Sequence, residues 1–139
     1  MAVVDYGSAL RMFRDDGTLG PDLDGPLVTG PRVALEGVGV VLFTRVSSDP
    51  YDLNLGVKYS LPDLLNFTAG DDLLRRIEAD YAVAARTQVA NVIGARFAFR
   101  RVDRGLALSG SVTTIEGLAS PLVASVTDAI KVLFPTVPA

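Results

Sequence analysis

Residues 71–114, DDLLRRIEADYAVAARTQVANVIGARFAFRRVDRGLALSGSVTT, change their apolar period once, and that change decides the fold. Up to Ile93 the apolar residues recur every three or four positions. Leu73, Leu74, Ile77, Tyr81, Ala84, Ala85 and Val89 form one stripe of an amphipathic helix, and Arg75, Arg76, Glu78, Asp80 and Arg86 populate its other face. Asp71 and Asp72 open the helix, where carboxylates complement the positive end of its dipole. From Ala95 the period drops to two. Arg96, Ala98, Arg100 and Val102 alternate with Ala95, Phe97, Phe99 and Arg101. Asp103-Arg104-Gly105 reads as a turn, and Leu106, Leu108, Gly110 and Val112 continue the buried face. A long helix running into an antiparallel hairpin predicts a single α+β domain. Its small antiparallel or mixed sheet packs against two or three helices.

The flanking segments fit around that core. Residues 1–32 are an arm rich in turn signals, with Asp16-Gly17, Gly20-Pro21, Asp24-Gly25 and Gly30-Pro31 as breakers. Ala9–Phe13 and Pro26–Thr29 are its two short strand candidates. The α+β core then spans residues 33–139. Residues 33–46, VALEGVGVVLFTRV, are core of ambiguous type. Their glycines and valines favour a strand, whereas Val38, Leu42 and Val46 keep helical spacing. Asp49-Pro50 begins a loop in which Gly56 is expected at positive φ. Ser60 caps a short helix with Leu61, Leu64 and Leu65 facing inward, closed by Phe67-Thr68-Ala69-Gly70. PLVASVTDAIKVLF, residues 121–134, alternates as one further strand, with a helix over its second half as the alternative. Pro135 and Pro138 stop it.

Composition excludes several kinds of chemistry. The chain has 139 residues, 49% of them hydrophobic, which suffices for one core. Thirteen basic residues face sixteen acidic ones, for a net charge of −3, so nucleic acid is not the expected partner. There is no cysteine and no histidine. That removes disulfides, thiolate zinc sites, histidine general bases and the nucleophilic triads that use them. No apolar run is long enough to span a membrane, and the opening residues lack the pattern of a signal peptide. The expectation is a soluble, non-secreted domain without cofactor or metal.

The carboxylates invite two catalytic or binding readings. Asp22-Leu23-Asp24-Gly25 is a fragment of a calcium-loop pattern, but Val33 stands where the bidentate glutamate is required. Glu36, set in an apolar stretch, could pair with Asp49 or Asp52 as the two carboxyl groups of a glycoside hydrolase. No phosphate-binding loop is present, because the glycines near Gly37 lack a following lysine. Arg96, Arg100, Arg101 and Arg104 form a basic strip at the hairpin, which suits an acidic protein surface.

Several short motifs follow one another in a fixed order. Pro26-Leu27-Val28-Thr29-Gly30 closes the Asp- and Gly-rich opening. Leu42-Phe43-Thr44-Arg45 ends the apolar segment, Ser48-Asp49-Pro50 leads to Leu55-Gly56, and Leu61-Pro62-Asp63-Leu64-Leu65 precedes the long helix and the closing strands. In this order the chain resembles the small baseplate wedge proteins of contractile phage tails and related injection systems, some of which carry an old lysozyme-like label. Many members have a Glu-Pro-Arg signature. Val46-Ser47-Ser48 stands where part of it is expected. The resemblance implies a helix over the ambiguous segment, weakened by about 1 kcal/mol at each of Gly37 and Gly39.

It further implies a sheath initiator rather than an enzyme, present in multiple copies in a sixfold ring. The implied partners are other baseplate wedge proteins, the tail sheath protein, and the tail tube or hub, with no nucleic acid and no membrane. The implied location is a virion or phage-like particle assembled in the host cytoplasm. Sheath subunits would then add strands to it by backbone pairing. The outward side of the hairpin becomes the docking element, with Arg96, Arg100, Arg104, Leu106, Leu108, Val112 and Thr114 as its partner-binding residues. The alternatives are a peptidoglycan hydrolase using Glu36 and Asp49, and a general protein-interaction adaptor.

Overall fold

Four closing strands form one antiparallel meander, and the two helices pack on one of its faces. The structure, a computed structural model, describes residues 5–65, 68 and 70–135. Strands β1 (Ser8–Ala9), β2 (Arg11–Phe13), β3 (Leu19–Asp22) and β4 (Val28–Thr29) make up the arm, in which β1 pairs with β4 and β2 with β3. Helix α1 (Pro31–Phe43), a single 3₁₀ turn (Leu61–Leu64) and helix α2 (Asp71–Gln88) follow. Strands β5 (Val92–Val102), β6 (Gly105–Thr114), β7 (Ala119–Val126) and β8 (Ile130–Leu133) pair in sequence order. The fold is a small single-domain α+β structure, as its period change predicts.

The ambiguous segment is helical. Pro31 stands at its first position, where a missing N–H is harmless. Ala34, Leu35, Val38, Val41 and Leu42 are buried. The helix is apolar nearly all round because it is packed on several sides, which is the physical reason its sequence shows no clear polar face. Its two glycines are contact points rather than defects: Gly37 faces the Val89 side chain and Gly39 faces the ring of Phe13. Phe13 is fully buried, edge-on to Phe134 with ring centroids 5.7 Å apart and tilted against Phe43. The arm therefore adds to the core.

Helix α2 buries Leu74, Ile77, Tyr81, Ala84 and Ala85 as its spacing predicts. It ends at Gln88, five residues before Ile93. Val89 is already extended and Asn91 has φ 68°, a left-handed conformation that asparagine tolerates. The Gln88 side chain instead clamps Gly56: its Oε1 accepts the Gly56 N–H and its Nε2 donates to the Gly56 carbonyl, both at 2.8 Å. Gly56 has φ 109°, and a side chain there would strike the Thr44 carbonyl. A parallel bridge between Arg45 and Val57 closes the same loop base.

Three local expectations need correction. The last segment is two strands, because the chain reverses at Thr127–Ala129 with no glycine or proline to mark it. Leu65 is 38% exposed, since the 3₁₀ turn ends at Leu64. Gly70 caps the start of α2 with φ −73° rather than ending the turn before it. Ser60 does cap that turn, and its N–H and hydroxyl both donate to the Asp63 carboxylate. Phe67, Ala69 and Pro138 lie outside the described residues.

Candidate functional site

The sheet has a covered face, an open face and two edges. Register fixes which residues lie where. Phe99, Leu108, Ala124 and Val132 stand in one cross-strand row and all are buried. Phe97, Gly110 and Leu122 form the next row, with the Phe97 ring lying over Gly110. These rows face α1 and α2. Because strand side chains alternate, the intervening rows face away. They are Arg96, Ser111 and Pro121; Ala98, Ser109, Val123 and Leu133; and Arg100, Ala107, Ser125 and Lys131.

The partner-binding residues expected from sequence therefore separate. Arg96 and Arg100 are exposed on the open face. Arg104 occupies the β5–β6 turn with φ 70° and lies 3.5 Å from Asp128, both largely solvated, so this pair contributes little. Leu106, Leu108, Val112 and Thr114 are at most 2% exposed and point into the core. They are corrected from docking residues to packing residues. The same alternation that makes them apolar turns them inward. Strand β6 also has neighbours on both sides, so its backbone has no free edge.

Edges occur at β5 and β8. In an antiparallel ladder every second residue directs its N–H and C=O away from its neighbour. Phe99 is such a residue, and its N–H donates to Glu78 Oε2 at 2.6 Å. Glu78 comes from α2 and also accepts from Arg75 Nη1 at 2.8 Å. Ala95 and Phe97 share the orientation of Phe99, since no register shift intervenes. At the other edge, the Val132 N–H donates to the Gly17 carbonyl at 2.8 Å, so the β2–β3 turn covers β8. Neither cover is visible in sequence, because each joins residues far apart in the chain.

Glu36 is 2% exposed and fully engaged. Its carboxylate accepts from Arg32 Nε at 3.1 Å and from the Met12 N–H at 3.3 Å. Asp49 and Asp52 accept N–H groups of their own loop, from Tyr51 and Asn54. Asp22 likewise caps Gly25 at 2.8 Å. Among the described residues no group of three or more potential metal ligands occurs, and no helix is long and apolar enough to cross a membrane. Glu36 borders a cavity of about 350 Å³ lined mainly by apolar side chains, among them Val33, Val40 and Val89.

The ion pair at Glu36 lies within α1, and the arm is joined to it through the Met12 N–H. Arg32 also lies 4.5 Å from the Phe134 ring centroid. Arg32→Ala is expected to lower stability by about 2 kcal/mol, because a buried carboxylate loses its partner while the arginine itself is one-third exposed. Urea unfolding measures this, and a loss below about 0.5 kcal/mol would show the pair to be solvated.

No family model, curated protein or solved structure matches the chain.

Proposed function

We propose that this chain is a structural subunit of the baseplate of a contractile tail or injection system and not an enzyme. It joins the inner baseplate ring to the first sheath disc and initiates sheath polymerisation by strand pairing. The motif order described above supports this reading, and one structural observation carries it. Strand β5 has eleven residues on a sheet edge, and its half before Phe99 directs backbone groups outward. An incoming strand finds there a template of unpaired N–H and C=O groups. Repetition around a ring multiplies such weak contacts.

The reading is tested at Ala95. Ala95→Pro removes one outward N–H and leaves the β5–β6 ladder intact, since proline is tolerated on edges. Baseplates carrying it are expected to start sheath about fivefold less often, the loss of one backbone bond. Electron microscopy of assembled tails scores this directly. Sheath of normal length and frequency on baseplates lacking the chain would sink the proposal.

A further inference from the structure

We propose that the groove between α2 and the β5 edge binds an extended acidic segment of a partner protein, whose backbone pairs with Ala95 while two neighbouring carboxylates engage Arg86 and Arg96. The chain caps the rest of that edge itself. Asp71, Arg75, Glu78, Ala82 and Arg86 follow one another at helical spacing along one line of α2. That line runs against β5. Asp71 pairs with Arg101 at 3.4 Å, and Glu78 accepts the Phe99 N–H at 2.6 Å and an Arg75 N–H. Four helical residues advance about 6 Å and two strand residues about 6.6 Å, so Ala82 comes level with Phe97 and Arg86 with Ala95. The chain's own cover stops there. Alanine offers no acceptor to the Phe97 N–H, and Arg86 brings only donors to the side of Ala95.

A groove of about 560 Å³ opens at this point. Ala82, Val83 and Arg86 form its helix wall, and Gly94, Ala95 and Arg96 its strand wall. It stays open at Gly94, where an added Cβ would meet nothing nearer than Thr113 at 4.0 Å. Arg86 and Arg96 are both exposed, and among the described residues neither takes part in an ion pair. Nor does a loop carbonyl among the described residues take the Ala95 N–H. Two unpaired guanidinium groups beside a free backbone donor call for an anionic acceptor. An extended segment supplies what both need. Its carbonyl accepts the Ala95 N–H, as in any added strand. Its successive side chains point to opposite faces, so adjacent carboxylates reach Arg96 on the open face and Arg86 on the helix side. Val83, 46% exposed, and Ile93, 55% exposed, flank the cations and offer apolar contact to the residues on either side. The site is short, because the bulge between Val92 and Gly94 ends the regular ladder on one side and Glu78 closes the edge on the other. The inference rests on the strand-pairing part of the reading above and adds the chemistry of the partner; it does not require a baseplate.

The probes are two fluorescein-labelled peptides, Thr-Val-Thr-Glu-Glu-Val-Thr-Val and its Gln-Gln counterpart, titrated with the purified full-length chain and read by fluorescence polarisation. The Glu-Glu peptide is expected to bind about fivefold more tightly at low salt, the worth of two exposed ion pairs. The two affinities converge near 1 M salt, where charges act over only about 3 Å. Arg86→Ala/Arg96→Ala removes the preference and leaves binding of the Gln-Gln peptide as it was. Ala82→Glu sets a second carboxylate one turn beyond Glu78, where it caps the Phe97 N–H and pairs with Arg86. That variant is expected to slow amide exchange at Phe97 and to weaken the Glu-Glu peptide by at least about fivefold, with stability at least equal to the wild type. Retained stability separates a blocked groove from a misfolded chain. Equal affinity for the two peptides overturns the acidic partner while leaving strand pairing standing. Undiminished binding to Ala82→Glu, or no binding of either peptide to the wild type, overturns the site. The baseplate reading fails on a different measurement, normal sheath assembly without the chain.

Discussion

Truncating Tyr81 to alanine is expected to lower stability by about 4 kcal/mol, the range for removing a buried aromatic ring. Tyr81 is fully buried where α2 crosses the sheet. Its ring meets Phe97 at 6.1 Å and 86° and Phe99 at 5.7 Å and 60°, the edge-on geometries that aromatic quadrupoles favour. Its hydroxyl donates to the Tyr59 carbonyl at 2.7 Å, which ties the loop before the 3₁₀ turn to the helix. Guanidinium unfolding reads the loss.

The milder Tyr81→Phe is expected to cost about 1 kcal/mol and to change the alkaline limb. Burial, followed by the charges of Asp63 and Asp80, holds the Tyr81 hydroxyl far above the usual tyrosine value. The unfolded chain ionises this group near pH 10 while the folded chain keeps it neutral. Its contribution is therefore fully present below about pH 10 and declines as the pH rises beyond it. Tyr81→Phe should flatten that decline. Equal steepness in both proteins would mean that the hydroxyl is solvated.

A side chain at Gly39 is expected to be nearly as damaging. A Cβ placed there would lie 2.5 Å from the Phe13 ring and 3.2 Å from that of Phe134. Gly39→Val is predicted to cost about 3 kcal/mol through overpacking, against a helix gain of less than about 1 kcal/mol. Proteolysis should then cut the arm before the core, because Phe13 is its anchor. Resistance equal to that of the wild type would show that the rings can move aside.

These effects also explain which parts of the fold were readable in advance. Helix α2 and the β5–β6 hairpin disclose themselves because each buries one face and solvates the other. Residues 33–46 do not, because α1 is packed on several sides and uses Gly37 and Gly39 as contact points. Strand β3 was missed since Leu19-Gly20-Pro21-Asp22 reads as a turn. Its pairing with β2 depends on Phe13 being anchored in the core. The end of α2 was overrun because Val89 and Val92 keep helical spacing while being used elsewhere: Val89 packs beside Gly37, and Val92 belongs to β5.

The site was legible in part. Arg96 and Arg100 follow from alternation alone. Glu78 and Gly17 do not, because their importance comes from which strand ends up at an edge, and that is settled only when all four strands are placed. Assigning Leu106, Leu108, Val112 and Thr114 to docking conflicted with their own alternation, and the core claims them.

The clamp between Gln88 and Gly56 has one more consequence. It closes the loop at its base, together with the bridge at Arg45 and Val57, while Tyr51 at the tip is 97% exposed. Length beyond the base is then nearly free: doubling a flexible loop costs only about 0.6 kcal/mol. A foreign peptide spliced beside Tyr51 would hang from a fixed point on the surface. That makes the tip the natural place for a marker that would locate the chain in the proposed baseplate.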